Sequence, residues 1–302
     1  MFGAVAALAS YVPGRRATQV DPMDRSSRSG NNFGVSKPLA FCLLLFFVWG
    51  CGRENPDLRT TDWEANFDRA RQASGAGQHD QAIAIAEAFL KDHPDNVDAH
   101  LMVGDAYREA ARSVSDARRR DRFANAATHY ARALALTGNP AWRLEATVKL
   151  RDLHAPDGLN DPQEQIRYSR MLIANDPTNI NTYSSLVTVF KSNKRYDEAM
   201  ALLAEAKRAM TPTVDALSSY AYSASELAVA EGFPREAARS VLADTLTMID
   251  DALTKQGRIE KLLYNKVTLL QAQADLETDP ARERALSDAW VEIQREIDRV
   301  SR

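Results

Sequence analysis

Few side chains in this sequence of 302 residues could do nucleophilic or metal chemistry, because it contains two cysteines and five histidines. Cys42 and Cys51 lie within or directly after one apolar run, which excludes a cysteine zinc site or a disulfide framework elsewhere in the chain. No two histidines have the i, i+4 spacing of metal ligands on one helix face, so we expect them to be solvated or to cap helices. They are His79, His93, His100, His129 and His154.

The chain also lacks the glycine-rich phosphate loops, zinc-protease motifs and serine-hydrolase motifs that identify many enzymes. Carboxylate pairs such as Asp250 and Asp251 are common on helix surfaces and imply no acid–base catalysis without a pocket. The 38 Lys and Arg nearly balance the 41 Asp and Glu, which argues against binding driven by nucleic-acid phosphates. The sequence therefore predicts a protein that is not an enzyme, needs no cofactor or metal, and binds no nucleic acid.

Cys51 is the one residue for which the sequence predicts a covalent reaction. It follows an apolar stretch, residues 39–50, that Lys37 precedes and that falls short of the about 20 residues of a membrane-spanning helix. That length is typical of the apolar region of a secretory signal peptide. Residues 48–51, VWGC, resemble the lipobox of bacterial lipoproteins, although Trp49 stands where that motif usually has a small or medium residue. The resemblance implies that the Cys51 thiol is lipidated; an uncleaved signal anchor and a conventionally secreted protein are the alternatives.

The segment before the leader is rich in Ser, Gly, Arg and Asn, a composition typical of disorder. A misread GTG start at Val35 would give a compact leader, and Met23 is the less economical start. Gly52 stands where inner-membrane lipoproteins carry Asp, so the resemblance implies an outer-membrane anchor facing the periplasm. The predicted segments are residues 1–34 (disordered or mis-annotated), 35–50 (signal peptide), 51–62 (lipidated cysteine and tether) and 63–302 (folded domain).

From Trp63 onward the chain alternates amphipathic helical segments with short breaks. Alanine is abundant and glycine is scarce, with 13 residues, which favours helix. The phrase DQAIAIAEAFL, which ends before HPDN, recurs as YDEAMALLAEA before a second proline break. Such self-similarity indicates a solenoid of repeated helix pairs.

These units resemble the tetratricopeptide repeat (TPR), a pair of helices, A and B, in 34 residues. In that family, small residues let the two helices approach and bulky residues fill the space between them. In the second unit the small residues are Gly104 and Ala126, and the bulky ones are Tyr107 and Tyr130. The resemblance implies an all-α fold, an α-α superhelix (TPR-like solenoid) of about six helix pairs whose end pairs act as caps.

The same resemblance implies that a protein partner binds the inner surface formed by the A helices. The expected surface residues are Asp98, Asp105 and Arg108 in the second unit, and Asn181, Thr188 and Lys191 in the fourth. The Lys/Asn clamp of the chaperone-binding members is not present, and the mixed polar set suits an extended or helical protein segment. A generic solvated face is the alternative. Substitutions at Asn181 or Lys191 should leave stability nearly unchanged, whereas Leu186 and Phe190 should lie in the core.

A second candidate surface is the basic run from Arg118 to Arg122, in extra residues between the helices of the second unit. One interpretation is a basic projection that binds an acidic partner or anionic headgroups. The other is a solvated, lengthened helical hairpin whose charge is partly neutralised by Asp116 and Asp121. The second interpretation is favoured, since charged runs are common on exposed helices.

The sequence thus predicts a membrane-anchored TPR scaffold or adaptor that recruits an unidentified protein of the bacterial cell envelope. The alternative is a repeat-built envelope ligand-binding protein or enzyme with an unrecognised pocket, which would need polar residues that converge in one cavity.

Intact-mass analysis of the protein from its native host tests the leader. The first residue is expected to be an acylated Cys51, because the apolar run and lipobox place the processing site directly before it. Native peptides from residues 1–34 would contradict a start at Val35, and an unmodified Cys51 would contradict the lipid anchor.

Overall fold

The computed structural model describes residues 63–300, and every regular element in that range is an α-helix. Cys51 and the predicted segments 1–34, 35–50 and 51–62 lie outside the described residues. The helices are α1 (Trp63–Gly75), α2 (His79–Asp92), α3 (Val97–Arg112), α4 (Asp116–Leu136), α5 (Pro140–Leu153), α6 (Pro162–Asn175), α7 (Ile180–Ser192), α8 (Tyr196–Ala209), α9 (Val214–Ala228), α10 (Arg235–Gln256), α11 (Glu260–Leu276) and α12 (Pro280–Val300).

The helices pack as six consecutive pairs, and each pair also packs against the next one. The odd-numbered helices are the A helices of the pairs, and they contact each other directly in two sets, α1–α3–α5 and α7–α9–α11. The prediction of an all-α solenoid of about six helix pairs is confirmed for residues 63–300. Within this range no helix is both long enough and apolar enough to cross a membrane.

The close approach of α3 and α4 depends on Gly104. A methyl group added there would lie 2.5 Å from Cε1 of Tyr130, well inside van der Waals contact. Tyr130 and Ala126 are fully buried beneath this contact, and Tyr107 is half-buried. The predicted pairing of small and bulky residues in the second unit is therefore confirmed, and the helix backbones approach because one of them lacks a side chain.

Helix ends follow the capping residues of the sequence. The Asp161 carboxylate accepts hydrogen bonds from the backbone N–H groups of Gln163 and Glu164, and the Asp279 carboxylate accepts one from Ala281. The reciprocal bond of a capping box, from the Asp161 N–H to the Glu164 side chain, is not made. The Asp161 N–H donates to the carbonyl of His154, and Glu164 pairs with an arginine one turn further along α6. The side-chain cap alone defines the start of α6.

The largest apolar cluster runs through the fourth, fifth and sixth pairs. Leu186 and Phe190 are buried in it, as the sequence predicted, with exposures of 0% and 1%. At the end of the stack, α12 covers α11 with Trp290, Ile293 and Ile297, of which only Ile297 is buried. The other face of α12 is exposed, so this helix caps the described stack.

Gly104→Ala tests the close approach of α3 and α4. The variant is expected to lose about 1–3 kcal/mol of unfolding free energy, because the fully buried Tyr130 ring has no free space to move into. The matched control is Gly75→Ala in α1, where an added methyl group meets nothing within 4 Å. Thermal melts should show the control unchanged or stabilised by about 1 kcal/mol. Equal melting of both variants would contradict the packing argument.

Candidate functional site

We define the A face as the side of α7, α9 and α11 on which these three helices are joined by polar side chains. Between α7 and α9, Asn181 Oδ1 accepts a hydrogen bond of 3.0 Å from Ser219 Oγ, and Lys191 Nζ lies 2.7 Å from Glu226 Oε2. Between α9 and α11, the Lys261 amine lies 2.6 Å from a carboxylate oxygen of Asp215. A further bond of 2.7 Å joins Asn265 Nδ2 to Ser218 Oγ.

The three predicted groove residues of α7 lie on this face, but two of them are engaged by α9. Asn181 and Thr188 are exposed, and the Thr188 hydroxyl donates to a backbone carbonyl of its own helix. Lys191 is half-buried in its ion pair with Glu226. Its amine therefore stabilises the α7–α9 contact. A substitution at Lys191 removes this ion pair, which the prediction of nearly unchanged stability did not include.

Two aromatic residues that the sequence analysis did not select stand on the same face. Tyr222 is 62% exposed and Tyr264 is 47% exposed, although large apolar side chains are otherwise mostly buried in the described residues. Tyr222 lies one helical turn from both Ser219 and Glu226, which contact α7, so its ring stands on the outer stripe of α9. The repeat consensus does not extend beyond the fourth unit. The sequence therefore gives no repeat positions for α9 and α11, and these two tyrosines could not be identified as surface residues.

In the second unit, Asp105 and Arg108 belong to a polar cluster that stabilises the fold. The Asp105 carboxylate accepts a bond of 2.7 Å from the Tyr130 hydroxyl and bonds of 2.8 and 2.9 Å from Lys149 Nζ on α5. Arg108 lies 3.5 Å from the same carboxylate. Burial, reinforced by the negative charge of Asp105, raises the pKa of Tyr130, so its hydroxyl stays protonated and donates. Asp105 thereby links α3, α4 and α5.

Asp98 lines a cavity of about 470 Å³ between α1, α3 and α5. Phe67 and Leu101 form part of its apolar wall, and Glu145 lies opposite on α5. Burial raises the pKa of Asp98, and the Glu145 carboxylate raises it further, whereas Arg71 opposes both effects. Three carboxylates thus line the cavity, those of Asp98, Asp105 and Glu145, and Glu145 carries no signal in the sequence because α5 departs from the repeat consensus.

The basic run forms a lengthened helical hairpin at the junction of α3 and α4. Arg122 pairs with Asp80 at 2.7 Å and also donates to a carbonyl at the end of α3, and Arg119 donates to the Asp157 carbonyl at 2.9 Å. Asp121 is exposed, and the side chain of Asp116 is outside the described set. The carboxylate that neutralises the charge of Arg122 therefore belongs to Asp80 of α2. The two other arginines of the run, Arg118 and Arg120, are exposed.

The histidines do not all behave as expected. His154 caps the C-terminus of α5, as predicted. The expectation of a solvated or capping residue is wrong for His100, which is buried and whose ring lies within hydrogen-bond distance of His129 on α4. Their separation of 29 positions in the sequence hides the contact from any local pattern. Among residues 63–300, no three His, Cys, Asp or Glu side chains are grouped so that they could hold a metal ion.

Comparison with known proteins identifies similar solved structures only. No family model and no curated protein matches the chain. The crystal structure of the MamA protein is 18% identical with a TM-score of 0.41, over 65% of this chain and 96% of that one. YrrB, described as a TPR protein with an unusual peptide-binding site, is 15% identical with a TM-score of 0.39, over 70% and 94% of the two chains.

A TPR repeats protein from Bacteroides fragilis is 16% identical with a TM-score of 0.39, over 80% of this chain and 99% of that one. The assignment of the fold rests on the helix pairs and their packing in this chain itself.

The Lys191–Glu226 ion pair yields a direct test of the A face. Lys191→Glu is expected to lower the unfolding free energy by about 1 kcal/mol, because two carboxylates then meet between α7 and α9. The charge-swapped double variant, Lys191→Glu with Glu226→Lys, should recover most of this loss, which urea unfolding measures through a double-mutant cycle. A single variant as stable as the wild type would show that the pair contributes nothing to the contact.

Proposed function

We propose that this protein is a membrane-anchored TPR scaffold that binds another protein of the bacterial cell envelope through the A face of α7, α9 and α11. The lipid anchor at Cys51 and the outer-membrane location follow from the resemblance to lipoproteins and the glycine after the cysteine. The proposal includes no catalytic step, cofactor or metal. The protein-binding part of the proposal is supported by the chemistry of the A face.

The exposure of Tyr222 and Tyr264 on neighbouring A helices is the observation that carries the proposal. An exposed tyrosine presents a large rigid surface to a partner at a low cost in side-chain entropy, and tyrosine is enriched among residues that dominate binding energies. Ser219 and Asn265, on the same helices as the two rings, donate to Asn181 and Ser218 and have further lone pairs that can accept from a partner's backbone N–H groups. Aromatic anchors among small polar groups suit an extended or helical protein segment.

The charges on the A face favour contact through the rings over contact through ions. Lys191 is paired with Glu226, and Lys261 is paired with Asp215, so the two lysines are already neutralised within the protein. A partner that used these charges would have to break existing contacts between helices. We therefore expect binding to depend only weakly on ionic strength, because screening acts mainly on unpaired exposed charges.

A second function is favoured by one specific observation, the cavity between α1, α3 and α5. Asp98 and Glu145 both line it beside an apolar wall, as the polar groups of a small-molecule site would. Native mass spectrometry of the protein from its host distinguishes the two functions. A bound protein supports the scaffold, and a bound small molecule that is lost in Asp98→Asn supports a ligand-binding protein.

A photo-crosslinking amino acid at position 222 tests the scaffold in cells. The expected result is one dominant crosslinked protein, because position 222 is the most exposed aromatic position on the A face. The control carries the same amino acid in place of Thr247, an exposed residue of the B helix α10. With the partner identified, Tyr222→Ala and Tyr264→Ala should each weaken its binding by about 1–2 kcal/mol, while thermal melts stay within about 0.5 kcal/mol.

Three outcomes count against the A face. Equal crosslinking from positions 222 and 247 would show that the exposed rings confer no specificity. Unchanged affinity in both tyrosine variants would exclude the rings as anchors. Crosslinking of the partner from position 120 in the basic run, and not from 222, would move the binding surface to the α3–α4 hairpin.

A further inference from the structure

His100 and His129 connect three segments of the chain through one chain of hydrogen bonds. The two Nδ1 atoms lie 3.1 Å apart, between α3 and α4. His100 Nε2 lies 2.9 Å from the carbonyl oxygen of Pro94, in the turn between α2 and α3. His100 is buried and His129 is half-buried, so water competes poorly for these bonds. The two rings therefore hold the second helix pair and the preceding turn together.

The partners determine where the ring protons lie. A carbonyl oxygen only accepts, so His100 Nε2 must carry a proton to bond Pro94. In a neutral His100 the other nitrogen, Nδ1, is then an acceptor, and Nδ1 of His129 must be the donor between the rings. The neutral pair thus has one arrangement, with protons on His100 Nε2 and His129 Nδ1.

The pair can take up one further proton but not two without breaking. With one added proton the bond between the rings is kept, because the cationic ring donates through Nδ1 and the neutral ring accepts through Nδ1. With two added protons, both Nδ1 atoms carry hydrogen, so two N–H groups and two positive charges face each other at 3.1 Å. The bond between the rings is then lost and becomes a repulsion.

The charged groups around the two histidines also favour no more than one positive charge on the pair. Burial lowers the pKa of His129, and the neighbouring His100 lowers it further, whereas the Glu87 carboxylate on α2 raises it. Glu87 also accepts a bond of 2.6 Å from the Tyr107 hydroxyl on α3, and the Tyr107 ring stacks on His129. One carboxylate, already partly engaged, can balance one imidazolium.

The other charged groups nearby come from the turn and from α4. Asp95 follows Pro94 in the turn and pairs at 2.7 Å with Arg132, one turn beyond His129 on α4. This ion pair is exposed and adds no net charge. His93, at the start of the same turn, is exposed and stacks on the ring of Phe89. These groups supply no second negative charge for a doubly protonated pair.

We propose that the His100–His129 pair is an acid-sensitive switch, which holds α3, α4 and the α2–α3 turn together near neutral pH and releases them when a second proton binds. Release acts on the cavity as well, because Leu101 follows His100 on α3 and lines the cavity wall together with Asp98. The switch is independent of the A face of α7, α9 and α11.

The expected dependence on pH follows from the number of protons bound. The two unfolded histidines each bind a proton near pH 6.5, whereas the folded pair binds one in total. Stability is therefore complete above about pH 6.5 and falls as the pH drops below it, because the unfolded chain binds more protons. The pair's own contribution lowers the ratio of folded to unfolded protein roughly tenfold for each pH unit until the pair accepts the second proton.

Nitrogen-15 NMR of the histidine rings in the purified chain tests the proton arrangement. At pH 7.5 the expected spectra show His100 protonated on Nε2 and His129 protonated on Nδ1. On acidification the two rings should titrate as one coupled pair, in two steps, with the second step at a clearly lower pH than the first. Two independent titrations near pH 6.5, or the opposite tautomers at pH 7.5, would overturn the proposal.

Urea unfolding at pH 7.5, 6 and 5 tests the consequence for stability. His129→Asn places an amide N–H where His129 Nδ1–H stood and cannot become charged, so it should lose the pair's tenfold-per-unit contribution to the pH dependence of the wild type. The control His93→Asn removes an exposed histidine and should keep it. Should His129→Asn fail to fold, His100→Gln serves instead, since its amide can still donate to Pro94. A pH dependence equal to the wild type in the folded variant would overturn the switch.

Discussion

The structure depends on a constraint of area: a single pair of helices cannot bury its own apolar stripes, so each pair must pack closely against the next. Close packing requires small residues at the crossing points, and Gly104 against the ring of Tyr130 is the tightest such contact around a glycine of the described helices. The same requirement explains the fully buried alanines between helices, such as Ala126 and Ala199. Stability in this chain is therefore a property of neighbouring pairs and not of single helices.

Polar groups that cross from pair to pair follow from the same stacking. Because Tyr130 is buried in the α3–α4 contact, its hydroxyl needs an acceptor, and Asp105 supplies it. Asp105 in turn needs a cation, which Lys149 supplies from the next pair. Likewise, Lys191 and Glu226 meet because α7 and α9 lie side by side. Charged and polar residues that the sequence alone would assign to a binding surface therefore form contacts between helices instead.

Because these charged side chains are paired between helices, the side chains available to bind a partner are the remaining exposed ones. On the A face the two lysines at the helix contacts are paired, and Tyr222 and Tyr264 are large aromatic side chains left exposed. In the N-terminal half, Asp98 and Glu145 remain beside a cavity, and the nearby His100 makes its packing sensitive to protons. The two halves of the stack thus differ in chemistry although they repeat one architecture, which fits a scaffold whose repeats have separate roles.

The sequence by itself determined the helices, their pairing and the core, because these depend on signals a few residues apart. The Asp161 and Asp279 caps, the alanine-rich stripes, and the spacing of Gly104 from Tyr130 were all readable in this way. Only the tertiary structure decided which surface groups meet. The pairs His100–His129 and Lys191–Glu226 are 29 and 35 residues apart. Their contacts depend on the rotation and axial offset of neighbouring helices, which the packing of whole side chains determines and no local pattern encodes.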